Sequence, residues 1–344
     1  MTFYNEINSC SDAYRTLHEE DAGAFGSVQV CQETETGSTV AIKYLKRGSG
    51  TISETVQQEI MAHRNLYHPN ILLFKKTILN SQALGIVVEY QAGGSLDAYI
   101  REAWPLQEPT ARGLFQQIVL GLTYLEHKGV GNHGIKAENM LLGKREPPNV
   151  KISSVGYYKA TLDTVPKSRV GSFGFVSPEV LLNKKDVDKH RSDCWSIGVI
   201  LYQLLFGEHP FEKPADVEEG SVKRTLHRIL KVEYKLPPHA SSVSPEAMDL
   251  LQHILVDNPA KRFSLQDMQN HPWFLRGLPA SLKQVTAECM AMESADHLVP
   301  QPKQETLEVI QHAMMSTEDD DSFQDDGIDE YLGDDFDMDE LMAQ

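Results

Sequence analysis

Hydrophobic and polar residues alternate along the first ninety positions as they do in strands, with one helical interruption. Residues 14–45 show alternating, β-branched patterning punctuated by Gly, which predicts antiparallel strands. Residues 57–66 have helical spacing and end before His68 and Pro69, while residues 86–90 form an apolar run typical of a buried strand. This part of the chain therefore predicts a small β-rich lobe.

Beyond residue 100 the apolar period becomes that of helices. The predicted helices lie at residues 110–126, 195–205, 246–256 and 265–270. After Phe274 the sequence becomes polar, with one amphipathic stretch at residues 304–315 before an acidic tail. The order of elements predicts an α+β fold with two lobes, a small antiparallel β-rich lobe followed by a larger helical one.

The composition is that of a soluble globular protein, with 41% hydrophobic and 24% charged residues among 344. The four cysteines are scattered without disulfide or metal-site spacing, which favours a reducing compartment. No apolar run reaches the length of a membrane span, and the N-terminus lacks the pattern of a signal peptide. We therefore expect a protein of the cytoplasm, the nucleus or both, without a membrane partner.

The net charge of −17 is concentrated at one end of the chain. Residues 317–344 hold thirteen Asp and Glu and no Lys or Arg, so that residues 1–316 carry only −4. Such a tail repels nucleic acid, because nucleic-acid binding depends on Lys and Arg at the phosphates. A solvated disordered tail and a docking peptide both fit this segment, and the apolar residues interspersed among the acids favour docking.

Six short strings follow one another in an order that resembles a known family. They are the glycine pattern of residues 21–28, V-A-I-K at 40–43, N-H-G-I-K-A-E-N at 132–139, K-I-S-S-V-G at 151–156, S-P-E at 177–179 and D-C-W-S-I-G at 193–198. Together they resemble the eukaryotic protein kinases. The resemblance implies a protein-kinase-like domain at residues 14–274, preceded by a short segment at residues 1–13.

In the small lobe the resemblance assigns residues to the phosphates of ATP. Gly23 and Gly26 let backbone N–H groups approach the phosphates, but Asp21 replaces the first glycine of the pattern, and its carboxylate is expected to weaken binding. Lys43 would contact the α and β phosphates and pair with Glu59, sixteen residues on. Taken alone, the glycines fit a plain hairpin turn better, and the two charges fit a solvated surface.

The resemblance also assigns the adenine site. Val28, Ala41 and Leu141 would sandwich the base, and the backbone from Glu89 to Gln91 would bond its edge. Ordinary core packing needs the same apolar residues, so their presence does not by itself distinguish the two interpretations.

A stack of side chains that aligns active kinases looks poor in this chain. By resemblance its places fall to His63, Phe74, Asn132 and Val155, two of which are polar. A buried polar group costs free energy unless it finds a partner. We therefore expect this stack to be weakened.

The catalytic loop lacks its base. In the pattern H-R-D-L-x-x-x-N the aspartate accepts the proton of the substrate hydroxyl, and Gly134 stands in its place without a side chain. Lys136 of the same loop is retained. His133 is the candidate substitute for the missing base.

The metal site is incomplete as well. Ser154 replaces the aspartate of K-I-x-D-F-G, and Mg²⁺ is a hard cation that favours charged oxygen ligands. Asn139 would then be the remaining protein ligand, a weak one because it is neutral. The sequence therefore predicts weakened ATP binding and argues against a bound Mg²⁺.

Other residues concern support and regulation. By resemblance Glu179 pairs with a buried Arg262, and Asp193 braces the catalytic loop. Ser168 falls where the family carries an activating phosphoserine. His133 takes the place of the arginine that reads this phosphate, which makes it a weaker and pH-dependent partner.

Further strings narrow the resemblance to the plant and green-algal sucrose-nonfermenting-related kinases, subfamily two, which act in osmotic-stress and abscisic-acid signalling. They lie at residues 47–48, 56–61, 68–71, 166–171, 257–262 and 273–280. In that family a helix beyond the kinase domain packs on the small lobe, and an acidic tail can dock regulatory phosphatases. The resemblance thus implies a regulatory segment at residues 275–316, an acidic tail at 317–344, and a protein partner, such as a phosphatase or a related kinase, that binds residues 304–344.

Several functional hypotheses follow. Gly134, Ser154 and Asp21 together favour a pseudokinase that acts by binding ATP or partners, since losing a general base alone costs about 10² to 10⁴ in rate. The alternative is an active Ser/Thr kinase that transfers the ATP γ-phosphate with His133, Asn139 and Ser154 as substitutes. An intermediate hypothesis has ATP bound as a structural ligand that orders the lobes without being transferred.

Overall fold

The computed structural model describes residues 13–23, 26–48, 52–130, 134–144, 146–153, 174–182, 184, 187–213 and 222–315. Within these ranges a sheet of antiparallel strands precedes a set of helices. The predicted α+β class, with a small β-rich lobe and a larger helical lobe, is therefore confirmed.

Five antiparallel strands form the sheet of the small lobe, in the order β1-β2-β3-β5-β4. They are β1 (Tyr14–Gly23), β2 (Gly26–Glu33), β3 (Thr39–Lys46), β4 (Phe74–Leu79) and β5 (Ala83–Glu89). All of β5 except Glu89 is buried, which agrees with the apolar run predicted as a buried strand. Gly23 and Gly26 pair with each other where β1 turns into β2.

One helix, α1 (Glu54–Arg64), packs beside this sheet. Ser53 caps it, because its hydroxyl accepts the N–H of Val56. Val56 and Ile60 of α1 lie in one apolar core with residues of β3, β4 and β5. The cap explains why the helix begins before the predicted start at residue 57, since Ser53 satisfies an N–H of its first turn.

Helices dominate the chain after β5. They are α2 (Leu96–Ala103), α3 (Glu108–His127), α4 (Pro178–Leu181), α5 (Lys189–Phe206), α6 (Val222–Lys231), α7 (Pro245–Ile254), α8 (Leu265–Asn270), α9 (Pro272–Leu275), α10 (Ala280–Ala291) and α11 (Lys303–Met314). The buried faces of α3 and α5 form the centre of the large core. Within the described ranges, no helix is both long enough and apolar enough to cross a membrane.

Two short strands lie at the junction of the lobes. β6 (Met140–Leu142) and β7 (Val150–Ile152) pair antiparallel, and Ile152 also bridges to Ile71, just before β4. Asn70 supports this junction, since its amide donates to the carbonyl of Val150 at 2.9 Å. The catalytic-loop segment enters β6, so these strands fix where that loop ends.

The sequence pattern does not predict α10. The buried residues of this helix include Thr286 and Cys289, which give no clear apolar period. His68 contacts the helix, with its Nε2 3.0 Å from the Thr286 hydroxyl. Lys128 at the end of α3 donates to the Met290 carbonyl at 3.3 Å. Polar contacts thus add to the packing of Leu282, Cys289 and Met290 against the large core, and polar contacts leave no trace in hydrophobic periodicity.

Candidate functional site

Lys43 lies at the centre of the small-lobe sheet. In β3 it pairs with Val28 of β2 on one side and with Ile86 of β5 on the other. Burial chiefly lowers the pKa of His63 on α1, and the charge of Lys43 adds to this. Glu59 is half-buried one helical turn before His63 on that helix. The sheet that carries Lys43 and the helix that carries Glu59 share one apolar core.

His63 occupies the stack position that the sequence predicts to be weak. The ring is fully buried, stands edge-on to Phe74 at 5.7 Å between ring centroids, and places Nε2 2.7 Å from the Leu72 carbonyl. Burial lowers the pKa of His63 to about 4, and the Lys43 charge adds to this against the opposing effects of Leu72 and Glu89. The polar group has found a partner, which removes the expected penalty for this member of the stack.

The predicted adenine residues come from both sides of the junction. Val28 and Ala41 are half-buried on β2 and β3, and Ala41 pairs with Val88 of β5. Leu141, also half-buried, lies on β6 and bridges to Ser95. Ala41 and Leu141 both pack against the apolar core of the small lobe. Ala41 and Leu141 therefore border the same core, and Val28 lies on the neighbouring strand β2.

The Glu89 side chain has a structural partner that the sequence pattern does not reveal. Its Oε1 accepts the backbone N–H of Leu73 at 2.8 Å and lies 2.7 Å from Nζ of Lys151. Glu89 and Gln91 also border a polar cavity of about 360 Å³ together with Lys144 and Lys151. The Glu89 carboxylate thus ties β5 to β7.

The described part of the catalytic loop keeps a defined fold around its missing base. Gly134 has φ +89°, a conformation that L side chains rarely adopt. The Asn139 amide donates to the Gly134 carbonyl at 2.7 Å and closes the loop. Ser153 then donates from both its N–H and its hydroxyl to the Asn139 carbonyl, at 3.0 and 2.8 Å. The Asn139 and Ser153 side chains thus hold this segment together with the backbone, and the residue at position 134 has no side chain.

Several predicted residues lie outside the described residues. They are His133, Ser154 and Ser168, together with the stack members Asn132 and Val155. For Asp21, Gly23 and Gly26 the structure gives strand pairing only. Lys136 is described, and its charge counteracts the rise in the pKa of Glu138 caused chiefly by desolvation.

The supporting pair of the large lobe is complete. Arg262 donates to both carboxylate oxygens of Glu179, at 2.7 and 2.9 Å, and both side chains are buried. Burial alone would raise the pKa of Glu179, but the hydrogen bonds and charge of Arg262 hold it below its usual value. Arg262 also lies over the Trp195 ring at 5.2 Å. The structure therefore brings together the two residues that the sequence assigns to this brace.

Asp193 lies on α5 beside other acids. Burial raises its pKa to about 8, and the charges of Glu126 and Asp188 add to the rise. The loop that Asp193 is predicted to brace includes residues 131–133, outside the described residues. Its bracing role stays a prediction.

The chain beyond the predicted domain returns to the small lobe. Helix α11 contacts α1, β4 and β5, and Ile310 and Ala313 enter the small-lobe core. The Gly48 N–H and the Arg47 guanidinium each donate at 2.9 Å, to the carbonyls of Ala313 and His312. The turn before α1 therefore satisfies carbonyls at the end of α11. This is the packing that the resemblance implies.

The other end of α1 is fastened to the same segment. Arg64 pairs with Asp296 and donates to the Gln301 carbonyl at 2.6 Å. The Gln301 side chain accepts the Thr77 N–H at 2.8 Å, donates to the Thr77 carbonyl at 3.0 Å and accepts the Thr306 hydroxyl at 3.1 Å. Sequence reasoning misses Arg64, Asp296 and Gln301, because a polar residue in a polar stretch carries no signal of burial.

These residues fit ATP better than they fit Mg²⁺. Half-buried apolar side chains border the predicted base site, and Lys43 lies beside them in the sheet. For a metal, the amide oxygen of Asn139 would be a neutral ligand, and Gly134 offers no side chain. In the described ranges no group of three or more His, Cys, Asp or Glu could hold a metal ion. Mg²⁺ favours charged oxygens, and Ser154, which stands at the other predicted metal position, lies outside the described residues.

A five-stranded lobe joined to a helical lobe, with Lys43 in the sheet and the Glu179–Arg262 pair below, defines the bilobal protein-kinase class. Comparison with known proteins agrees. The protein kinase domain matches residues 15–274. The structure resembles the crystal structure of Rad53 1-466 in complex with AMP-PNP, with a TM-score of 0.64 and 25% identity, over 76% of this chain and 65% of that one.

The chain belongs to the protein kinase family, and the relatives it resembles are named serine/threonine-protein kinases. It is 39% identical to the serine/threonine-protein kinase SAPK9 of Oryza sativa subsp. japonica, over 96% of this chain and 89% of that protein. It is 40% identical to the serine/threonine-protein kinase SRK2E of Arabidopsis thaliana, over 88% and 81%. The serine/threonine-protein kinase SRK2A of Physcomitrium patens is also 40% identical, over 88% and 85%.

Proposed function

We propose that this chain is a kinase-fold signalling protein that binds ATP or a protein partner without efficient phosphoryl transfer. The observation that carries the proposal is the loop at Gly134. Asn139 holds this loop in a defined conformation, yet no side chain stands where a base would accept the substrate proton. A folded loop without its base supports a binding role.

The chain's own residues would divide the work of binding. Val28, Ala41 and Leu141 would cover the base, and Lys43 would hold the α and β phosphates. When bound, ATP supplies a γ-phosphoryl group, but Gly134 can neither orient an acceptor hydroxyl nor take its proton. Phosphoryl transfer depends on positioning and electrostatic stabilisation, so the missing groups remove what the reaction needs most.

The test uses the full chain. A thermal melt with and without ATP should show a higher Tm with ATP, since a ligand that binds only the folded state stabilises it. A radiolabelled transfer assay should show no more label on a protein substrate than the Lys43→Met variant gives. Transfer that disappears with Lys43→Met would overturn the proposal.

A second candidate function is an active Ser/Thr protein kinase. The observation in its favour is that relatives at 39–40% identity are named serine/threonine-protein kinases. In that case His133 would replace the base, with Asn139 and Ser154 sharing a metal. His133→Ala should then abolish transfer, whereas it leaves a binding protein unchanged in the same assay.

The protein partner we propose binds residues 304–344. Two observations support it: α11 packs against α1, and the thirteen acids beyond residue 316 are interspersed with apolar residues. A regulatory phosphatase or a related kinase fits the resemblance. Calorimetric titration of the full chain and of a chain ending at residue 316 with such a phosphatase should show binding only by the full chain. Equal affinities would exclude the tail as the docking site.

A further inference from the structure

The positions that the resemblance assigns to the phosphates of ATP carry fewer acidic residues in this chain than in the family pattern. Gly134 and Ser154 are neutral where the resemblance places carboxylates, whereas Lys43 and Lys136 keep their cations. Asp21 returns one carboxylate to the glycine pattern. The site thus has one acidic group fewer than the family pattern. A triphosphate there meets less repulsion from the protein and keeps its attraction to the lysines.

The neutral oxygens that remain do not replace the lost ligands. The Asn139 amide nitrogen donates to the Gly134 carbonyl at 2.7 Å, and its amide oxygen, the atom that could ligate a metal, is neutral. The Ser153 hydroxyl donates to the Asn139 carbonyl at 2.8 Å, so it too is directed at backbone. Mg²⁺ is usually bound through one or two carboxylates together with substrate phosphates. The acidic residue of the described loop segment is Glu138, which lies among the charges of Lys136, Asp97 and Arg101. In the described ranges no group of three or more His, Cys, Asp or Glu could hold a metal ion.

We infer that this site binds the triphosphate of ATP as the free anion, without a divalent cation. The inference rests on the proposed ATP binding. Mg²⁺ neutralises part of the phosphate charge, and here it gains no charged protein ligand in return. The cation therefore reduces the attraction of the nucleotide to Lys43 and Lys136 and does not bridge it to the protein.

The experiment is calorimetric titration of the full chain with ATP, once in EDTA and once with excess Mg²⁺. The expected Kd in EDTA is equal to or lower than the Kd with Mg²⁺. Ser154→Asp should reverse this order and bind at least about tenfold more tightly with Mg²⁺ than in EDTA, about 1.4 kcal/mol. Asn has the shape of Asp without its charge. The matched variant Ser154→Asn should therefore keep the order of the two Kd values that the unmodified chain shows.

A second measurement does not depend on a variant that folds. Mn²⁺ is used in place of Mg²⁺, because it shortens the relaxation time of water protons. This effect is larger when Mn²⁺ is held in a protein–nucleotide complex than when it is bound to ATP alone. The unmodified chain with ATP should show no such enhancement over Mn²⁺ and ATP alone. Binding of ATP only when Mg²⁺ is present, or a clear Mn²⁺ enhancement, would overturn metal-free binding and leave the proposed ATP binding intact. No binding in either solution would overturn both.

Discussion

Two regions of the molecule differ in how fully they retain the residues of the family pattern. They are the brace between Glu179 and Arg262 and the loop from Gly134 to Asn139. The brace is complete, with both carboxylate oxygens paired to the guanidinium and both side chains buried. The loop is closed by Asn139 but carries Gly134 where the family pattern has its aspartate. The proposed binding role rests on this contrast between a complete supporting pair and a substituted catalytic position.

The largest expected effect comes from breaking the brace. Arg262→Met leaves the Glu179 carboxylate buried without its cation, which should lower the free energy of unfolding by about 3–5 kcal/mol. Urea denaturation measures the loss.

The matched control is Arg276→Met. Arg276 pairs with Glu246 at 3.0 Å, but both side chains are largely exposed. This variant should cost far less than Arg262→Met, because solvent screens an exposed ion pair. Similar losses for the two variants would show that the buried brace has no special weight, and the comparison with the catalytic loop would lose its basis.

The second prediction concerns the attachment of the C-terminal segment. Gln301→Ala removes the side chain that bonds the Thr77 N–H and carbonyl, and Thr77 is buried. Unpaired buried groups should lower stability by about 2–3 kcal/mol. Because Gln301 lies near the end of α1 at Arg64, the Tm increase caused by ATP should shrink as well.

Gln304→Ala is the control for this prediction. Gln304 is exposed and bonds only the neighbouring Glu308 on the helix surface, at 3.1 Å. Its removal should change stability by less than about 0.5 kcal/mol. A Gln301→Ala variant as stable as this control would show that the segment is held by its apolar contacts alone.

Hydrophobic patterning was sufficient to predict the two lobes and most of the long helices and strands. The predicted helix at residues 110–126 is α3, and the apolar run at 195–205 lies inside α5, because both bury apolar faces at helical spacing. Helix α10 could not be predicted in this way, since Thr286 is held by a hydrogen bond to His68. Periodicity detects apolar burial and is blind to buried polar contacts.

The candidate site likewise contains residues that the sequence predicts and contacts that it does not. Motif spacing placed Lys43, Gly134 and Arg262 at positions that the fold brings to the lobe junction and the large-lobe core. The partners of His63 and Gln301 could not be read from the sequence. Each side chain bonds a backbone carbonyl, that of Leu72 or of Thr77, and a backbone carbonyl has no letter in the sequence.

The third prediction uses pH to probe the junction of the lobes. Burial lowers the pKa of His68 to about 3, with a further contribution from the Lys151 charge. The His68 Nδ1 accepts the Asn70 N–H at 3.0 Å, which requires a neutral ring. Since the folded pKa lies below the unfolded value of about 6.5, the neutral ring contributes fully above that pH, and stability falls as the pH drops toward 3.

Between pH 7 and pH 5 the cost for His68 should be about 2 kcal/mol. His68→Gln should flatten the pH dependence of urea denaturation by that amount. An NMR titration in which the His68 ring protonates near pH 6.5 would contradict the burial argument.

The smallest expected effect returns to the loop. Gly134→Asp restores the carboxylate of the family pattern, but at φ +89° a side chain should cost about 1–2 kcal/mol of stability. Gly37→Asp is the control, since Gly37 also has positive φ, +69°, with no atom within 4 Å of an added Cβ. Asp tolerates the left-handed region better than most residues, so this control should lose about 1 kcal/mol or less.

With Ser154 unchanged, Gly134→Asp should still transfer no phosphate, because a base without charged metal ligands lacks the electrostatic help that the reaction needs. Transfer that appears with this single substitution would show that the loop retains the rest of its chemistry.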